Sequence, residues 1–308
     1  MKYFDLHCDT ISECYNEKKS LYDGDQQVSL LRGRKYAPWV QCFAIWIPDE
    51  KRGKAALDYF DAVLLKLQRE IQLHSDLIML CKTAEDFKAA EQQKKIGAVL
   101  TAEGGAAAAG SLERLKYMAD CGVKVMTLTW NSSCEFGDGA GVDPSNGLTD
   151  FGKRAVAEME RLNIVIDISH ASDKLFSDVC DSTRKPFIAT HSNSRKLCSH
   201  RRNLTDGQFG FIRERGGLVG INFVPEFLNN SGKAGPEDIL RHIEHFLSLG
   251  GEKCVAIGSD FDGTDLPKGI TGIESVENVA ELMLRHNYNE TLVDSILFDN
   301  AHQFFLSL

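Results

Sequence analysis

Short β-type runs alternate with longer amphipathic stretches along nearly the whole chain, and this alternation leaves few folds open. Eight runs rich in Val, Ile, Thr and aromatic residues begin at residues 3, 39, 96, 123, 164, 186, 217 and 254. Several are apolar at every position, as strands buried on both faces of a parallel sheet require. The segments between them have helical spacing, and several begin at Ser, Thr or Asp and end at Gly.

Eight β-then-α units in 308 residues match the size of a (β/α)8 barrel. A doubly wound open sheet is the alternative. The glycine clusters that follow predicted strands, EGG at 103 and GSDFDG at 258, lack the GxGxxG spacing of a dinucleotide site, and the chain has no GxxxxGK[ST] loop. Since no linker or compositional break divides the chain, we predict an α/β protein with one TIM-barrel domain spanning residues 1–308.

Composition excludes several classes of partner. The formal net charge is −9, with 43% hydrophobic and 26% charged residues, which is typical of a soluble globular protein. Such an acidic chain is unsuited to nucleic acid or to anionic membranes, so we expect neither as a partner. Nine cysteines are scattered singly with no CxxC pair, which favours free thiols in a reducing compartment. Without an apolar leader or an apolar run near 18 residues, we expect a cytoplasmic protein.

Polar side chains collect where five of the predicted strands end. In a (β/α)8 barrel, catalytic groups lie at the C-terminal ends of the strands. His7 and Asp9 are two residues apart on a strand, so both side chains leave the same face. The other strand ends supply further metal-binding types, namely Glu103, His170, His191 and Asp260.

Each of these residues has an ordinary explanation when it is taken alone. A histidine can bond a backbone carbonyl in the core, a glutamate can cap a helix, and Asp260 and Asp262 can form a turn before Gly263. Together, however, three histidines, one aspartate and one glutamate suit two zinc ions that share a bridging carboxylate. Mg²⁺ fits this nitrogen-rich set less well, while iron, manganese and cobalt remain alternatives.

Seven short motifs, in order, carry a family resemblance. HCD, AEGG, LTW-N, DISH, THSNSR, HRRNLTD and GSDFDG extend from about residue 3 to the C-terminal segment. In this arrangement the chain resembles the membrane (renal) dipeptidase family of zinc peptidases and its bacterial relatives. The resemblance implies a TIM barrel of the metal-dependent hydrolase type with a binuclear zinc centre, and it admits a homodimer.

The resemblance also implies a role for each matching residue. Two zinc ions per chain would be held by five ligands: His7 and Asp9 on one, His170 and His191 on the other, and Glu103 bridging them. Arg202, the second arginine of HRRN, would bind the terminal carboxylate of a dipeptide, which its forked guanidinium suits. Asp260 would hold the substrate amine and pass a proton to the leaving group, after a metal-bridging hydroxide attacks the peptide carbonyl.

One position departs from the family pattern. Where renal-type members have a histidine thought to contact the substrate carbonyl oxygen, this chain has Trp130, followed by Asn131. An indole N–H only donates, so either Trp130 or Asn131 takes over that contact, or the metal ions alone polarise the carbonyl.

The reaction that the sequence predicts is hydrolysis of dipeptides, extending by resemblance to those with a C-terminal D-residue. The alternatives are an amidohydrolase or lactonase acting on another substrate, and a non-catalytic barrel that binds a small molecule. The remaining histidines, such as the helical His242 and His245, have no predicted role in the site, whereas His200 could line the pocket.

Overall fold

The computed structural model describes residues 1–308 and contains one parallel sheet curled into a barrel. Its strands are β1 (Tyr3–Cys8), β2 (Trp39–Trp46), β3 (Ile78–Leu80), β4 (Ile96–Glu103), β5 (Val123–Thr127), β6 (Val165–Asp167), β7 (Val219–Ile221) and β8 (Val255–Ile257). Seven of them follow the order β6-β5-β4-β2-β1-β8-β7, while β3 pairs with the start of β4. The predicted α/β barrel is thereby confirmed.

The seam between β6 and β7 is closed by the run that begins at residue 186. This run forms only two parallel bridges, one from Ile188 to Asp167 and one from Ala189 to Val219. The sequence predicts a strand here. The run occupies the position of a barrel strand between β6 and β7, but these two bridges are its only pairing with them. The strand β3 was not predicted, because three residues are too few to show a periodic pattern.

The helices are α1 (Thr10–Asn16), α2 (Leu30–Gly33), α3 (Lys54–Leu73), α4 (Ala84–Gln92), α5 (Leu112–Cys121), α6 (Asp150–Arg161), α7 (Asp173–Ser182), α8 (Asp206–Glu214), α9 (Pro225–Leu228), α10 (Pro236–Ser248), α11 (Val276–Arg285), α12 (Glu290–Asp294) and α13 (Asn300–Leu306). Six of the thirteen helices, α3, α5, α6, α7, α8 and α10, occupy the stretches whose helical spacing the sequence shows, and the other seven were not predicted. Ser111, Thr149, Ser172 and Thr205 cap α5 to α8 by accepting a backbone N–H, as side-chain oxygens at that position do. None of the helices has both the length and the apolar composition that a membrane-spanning segment needs.

Apolar side chains form two clusters, one on each side of the sheet. The larger lies between the strands and the surrounding helices. The smaller contains one or two residues from six of the eight strands, such as Leu6, Val99 and Val125, and therefore fills the barrel interior. Phe304 and Phe305 of α13 complete this inner cluster, so the end of the barrel opposite the strand C-termini is filled.

A bulge in β1 decides which of its side chains reach the mouth of the barrel. Asp5 pairs with Gln41 and Cys8 with Phe43, so Leu6 and His7 together lie opposite the single residue Cys42. Leu6 belongs to the inner cluster and Cys8 to the outer one. Without the extra residue, strict alternation would place Cys8 inside and His7 outside. Bulges commonly re-aim side chains next to active sites.

Candidate active site

Glu103, the last residue of β4, lies at the centre of a polar cluster in the barrel mouth. Its Oε1 lies 2.7 Å from Nε2 of His170 and 3.6 Å from Nε2 of His191. Its Oε2 lies 3.6 Å from Nε2 of His7. The two oxygens of this carboxylate thus face different histidines: Oε1 faces His170 and His191, and Oε2 faces His7.

The ends of β1 and β8 bring two more carboxylates to this point. The Nε2 atom of His7 lies 3.5 Å from Oδ2 of Asp9 and 3.9 Å from Oδ1 of Asp260. The backbone of Asp260 has a φ of +63°, so the chain turns sharply just after β8. Its other oxygen, Oδ2, accepts a hydrogen bond of 2.9 Å from Nδ2 of Asn222, which leaves Oδ1 facing the cluster.

The cluster offers two overlapping places for a metal ion. One group consists of His7, Asp9 and Glu103, and another of Glu103, His170 and His191; within each, the possible ligand atoms lie within 4.8 Å of one another. Asp260 forms a third group with two of the histidines. Nε2 of His7 and Oδ1 of Asp9 are buried and lack a hydrogen-bond partner. Because buried polar atoms are normally paired, these two orphaned atoms fit metal ligation.

Electrostatics favours a cation at the same point. Burial and the nearby charge of Glu103 raise the pKa of Asp9 to about 8. Burial also opposes ionisation of Glu103, but His7 and His170 outweigh it and hold the pKa of Glu103 well below its usual range. Two ionised carboxylates this close repel each other, and a dication between them would remove that repulsion.

Arg202 contributes a second unusual charge to the cavity. Its side chain comes from the loop that precedes α8, is only 5% exposed and lies against the ring of Phe227, 5.4 Å from its centroid. All three guanidinium nitrogens are buried without a hydrogen-bond partner. Burial lowers the pKa of Arg202 to about 10, so the group stays charged at neutral pH. A buried, unpaired guanidinium fits an anionic ligand group.

One cavity of about 320 Å³ is lined by Arg202 and by four residues of the cluster, namely Asp9, Glu103, His170 and Asp260. Trp46 at the end of β2 and Trp130 after β5 form one wall, with ring centroids 5.2 Å apart in an edge-to-face arrangement. Asn131 also lines the cavity, and its Oδ1 lies 3.0 Å from Nδ1 of His170. Trp130, which departs from the family pattern, lies beside the same candidate ligand, with its ring centroid 6.2 Å from that of His170.

The residues that the resemblance implies as ligands or substrate contacts all lie in or beside this cavity. The six candidate ligands and relay groups form the cluster, and Trp130, Asn131 and Arg202 surround it. Asp262 is different: its carboxylate accepts hydrogen bonds from Thr10 Oγ1 and from the backbone of Gln27 and Val28, and so holds the loop that precedes α2. Its predicted role as a turn former agrees with a φ of +66°.

Sequence reasoning did not find several residues that support the site. Asn222 holds Asp260, while Trp46 and Phe227 line the cavity. Asp167 is wholly buried beneath the histidines and accepts hydrogen bonds from the hydroxyls of Thr127 and other residues. A buried Asp at the end of an apolar strand was the available signal for Asp167, since a carboxylate there needs several donors.

The other histidines lie outside the cluster, as expected. His242 is buried, accepts the N–H of Ser194 and lies 3.0 Å from the carbonyl of Leu228. His200 stacks on Phe227 behind the cavity wall rather than lining the cavity. The remaining four each approach a carboxylate elsewhere on the molecule: His74, His245, His286 and His302.

Comparison with known proteins identifies the family. The model of the membrane dipeptidase family (peptidase family M19) matches residues 1–306. The chain belongs to the membrane dipeptidase family. The family resemblance inferred from the motifs is thereby confirmed, and membership places the chain among the metallopeptidases, which are hydrolases.

Members of this family with solved structures share the whole fold. A metallopeptidase from Rhodobacter sphaeroides, bound to a phosphinate mimic of the dipeptide L-Ala-D-Ala, is 28% identical, with a TM-score of 0.93 over 99% of this chain and 98% of that one. The metallopeptidase dipeptidase AC is 29% identical, with the same TM-score and coverage. A Klebsiella pneumoniae protein, described as an uncharacterized protein in the pqqA 5′ region, is 32% identical over 77% of this chain and 91% of its own length.

Proposed function

We propose that this membrane dipeptidase family member is a binuclear zinc dipeptidase. The observation that carries the proposal is that one cavity holds both a cluster of metal-ligating side chains and a buried guanidinium without a partner. The first is suited to polarising a peptide bond and the second to binding a carboxylate. The dipeptide mimic bound to the Rhodobacter sphaeroides metallopeptidase supports a substrate of this size.

The donor set indicates how the metal ions would be held. His7 and Asp9 would bind one zinc ion, His170 and His191 the other, and Glu103 would bridge them, since its two oxygens face different histidines. Imidazole and carboxylate donors suit zinc. Bound there, the two ions would polarise the scissile carbonyl and lower the pKa of the attacking water.

Arg202 and Asp260 would bind the two ends of the substrate. A terminal carboxylate would supply the acceptor that the guanidinium of Arg202 lacks, and Oδ1 of Asp260 is free to accept a hydrogen bond from the amine. The hydrogen bond from Asn222 keeps Asp260 in this position, where it can pass a proton to the leaving amine. Because both ends are fixed, a tripeptide would not fit between these groups. Trp130 and Asn131 would contact the part of the substrate between them.

The experiment that tests this function combines a measurement of the zinc content with a substitution of Glu103, the proposed bridging ligand. The purified protein should contain near two zinc ions per chain and cleave members of a panel of L-L and L-D dipeptides. Glu103→Gln should abolish turnover and lower the zinc content while the circular dichroism spectrum is unchanged. Glu113→Gln, on the exposed surface of α5, is the matched control and should behave like the wild type. Failure to cleave any dipeptide with zinc present would overturn the proposal.

A second candidate reaction is favoured by the tryptophan wall. Trp46 and Trp130 give the cavity a broad aromatic face that suits a flat or apolar acyl group, as in an N-acyl amino acid or a lactone. An N-acyl amino acid would still offer its carboxylate to Arg202 but would have no amine for Asp260. Cleavage of such compounds, with dipeptides inert, would favour this reaction.

The proposal also covers the domain organisation, the cellular compartment and the oligomeric state of the protein. We infer one domain over residues 1–308, because strands from the two ends of the chain, β1 and β8, pair directly at Asp5 and Ile257. A cytoplasmic setting is supported by nine cysteines that all carry free thiols. A homodimer stays a prediction from the family.

A further inference from the structure

A buried hydrogen-bond network lies directly beneath the candidate metal centre. The carboxylate of Asp167 is wholly buried, and its hydrogen-bond partners are backbone N–H groups and hydroxyls. Five donors converge on it from three segments of the barrel wall. Oδ1 accepts from the backbone N–H of Ser169 at 3.0 Å, the Ser169 hydroxyl at 2.6 Å and the backbone N–H of Thr190 at 2.9 Å. Oδ2 accepts from the hydroxyls of Thr127 and Thr190, each at 2.6 Å.

One of these donors also touches His191. The Oγ1 atom of Thr190 lies 2.8 Å from Nδ1 of His191. A threonine hydroxyl has a single proton, and an ionised carboxylate only accepts. Since that proton is donated to Asp167, the hydroxyl can only accept from His191, so Nδ1 of His191 must carry its own proton. The lone pair of the neutral ring is then on Nε2, the atom that faces Glu103 and His170.

We propose that Asp167 is a positioning residue for the metal centre, which acts through the Thr190 hydroxyl to hold His191 in the tautomer whose Nε2 can bind a metal ion. The proposal rests on the metal site proposed above. Ser169 strengthens the arrangement, because its hydroxyl donates to Asp167 and accepts the backbone N–H of His191 at 3.1 Å. Asp167 therefore fixes both the ring and the backbone of this residue.

His170 does not have an equivalent partner. Its Nδ1 faces Asn131, whose neutral amide can present either its oxygen or its nitrogen, so Asn131 does not by itself impose a tautomer. The two histidines proposed for the same metal ion are thus held differently, one by an amide in the cavity wall and one by an anion within the barrel. Partners of this kind commonly change metal affinity by about 10–100-fold.

Replacing the hydroxyl of Thr190 tests the link to His191. Thr190→Val keeps the shape of the side chain and should weaken binding of one metal ion by about 10–100-fold, while Thr190→Ser should restore it. The matched control is Thr127→Val, which removes a hydroxyl from the same oxygen of Asp167 but does not touch a histidine. Affinity is measured by titrating the metal-free protein with Zn²⁺ and with Co²⁺ against a competing chelator, and the Co²⁺ absorption spectrum reports the ligand geometry.

Asp167→Asn tests the direction of the hydrogen bonds. Two rigid backbone N–H groups point at Oδ1, so the amide oxygen must take that position and the amide nitrogen must face Thr190. The Thr190 hydroxyl would then accept from the amide and donate to His191, which puts the ring proton on Nε2 and blocks the metal ion. One ion should be lost, and adding Thr190→Val should recover part of the affinity.

The results of these experiments distinguish a failure of this positioning role from a failure of the proposed dipeptidase function. Equal losses in Thr190→Val and Thr127→Val, or a double variant worse than Asp167→Asn alone, would show that Asp167 has only a structural role and would overturn the proposal. Because metal binding is measured without any peptide, a protein that binds two ions but cleaves no dipeptide would refute the dipeptidase function alone. A wild type that binds no Zn²⁺ or Co²⁺ would refute both.

Discussion

At the scale of single residues, the buried guanidinium of Arg202 is the clearest sign of a ligand. Removing an isolated cation from water is costly unless a partner neutralises it, and the protein provides no hydrogen-bond acceptor for this one. We therefore expect a ligand to provide the missing acceptor. Its neighbour Arg201 differs, since its side chain is half exposed and hydrogen-bonds the carbonyl of Ala140.

Arg202→Met should therefore impair binding of the substrate carboxylate. We expect a loss of about 2–5 kcal/mol in transition-state binding, measured as a fall in kcat/KM on dipeptides. Dipeptide amides, which lack the carboxylate, should be affected far less, and the zinc content should not change. Arg201→Met is the matched control. An equal fall in kcat/KM on dipeptides and on dipeptide amides would show that Arg202 does not bind the carboxylate.

Individual residues also show where sequence reasoning stops. Glu103 and His191 could be picked out because each follows an apolar run that must end at the barrel mouth. Asp167 could not be given a role in this way, because its donors Thr127 and Thr190 come from separate segments that meet only in the closed barrel. The position of Asp167 at the end of an apolar strand indicates a buried carboxylate that needs donors, but it does not indicate which segments supply them.

At the scale of secondary-structure elements, the turn after β8 brings the backbone unusually close to the cluster. A Cβ atom at Gly263 would lie 2.2 Å from Oδ2 of Asp9 and 2.6 Å from Oδ1 of Asp260. Contacts this short cannot be accommodated without moving a carboxylate. A glycine is therefore needed here for close approach rather than for an unusual φ.

Gly263→Ala should displace Asp9 and Asp260 without unfolding the barrel. We expect weaker metal binding at the position of His7 and Asp9, measured by chelator competition, together with reduced dipeptide hydrolysis. The matched control is Gly210→Ala in α8, where an added Cβ meets nothing within 4 Å. Unchanged metal affinity in Gly263→Ala would contradict this account of the turn.

The helix α10 carries a histidine that links stability to pH. Burial lowers the pKa of His242 to about 4, below the value of about 6.5 in an unfolded chain. The neutral ring accepts the N–H of Ser194 through Nδ1 and donates from Nε2 to the carbonyl of Leu228. Its contribution to stability is fully present above pH 6.5 and is lost as the pH falls towards 4, because the unfolded chain takes up the proton first.

This effect should amount to about 3 kcal/mol over that interval. Urea unfolding at several pH values should give a steeper loss of unfolding free energy for the wild type than for His242→Gln. His245→Gln, on the same helix but next to Asp206, is the control and should keep the steep dependence. Parallel curves for the wild type and His242→Gln would contradict the prediction.

Elements were easier to predict than their register. The helix Lys54–Leu73 was found because its apolar spacing repeats over 20 residues. The bulge at Leu6 and His7 was not, since one extra residue leaves the composition of β1 unchanged. His7 and Asp9 nevertheless lie together as their spacing predicts, with Nε2 of His7 3.5 Å from Oδ2 of Asp9.

At the scale of the whole molecule, the candidate metal ligands tie together distant parts of the barrel. Glu103 ends β4, His7 lies in β1, and His191 comes from the run between β6 and β7. Ligands that bind only the folded chain stabilise it by mass action. Metal ions shared by these segments should therefore stabilise the entire fold rather than one loop.

Removing the metal ions should lower the melting temperature of the protein. At a zinc concentration about 1,000 times the dissociation constant, one ion contributes about 4 kcal/mol, which corresponds to a shift on the order of 10 °C. Calorimetry before and after chelation, followed by zinc addition, would measure the change and its reversal. The same treatment should have much less effect on Glu103→Gln, and an unchanged melting temperature in the wild type would contradict the predicted stabilisation.

The candidate active-site cavity opens at one end of the barrel, the end at which the strands terminate. At the other end of the barrel, Phe4 of β1 stacks on Phe305 of α13 with ring centroids 5.1 Å apart, within the apolar cluster that fills the barrel there. For a dipeptidase, we therefore expect the substrate to enter, and both amino acids produced from it to leave, through the cavity that Trp46 and Trp130 line. A released amino acid whose carboxylate rebinds at Arg202 would obstruct the next molecule, so free product should inhibit turnover in competition with substrate.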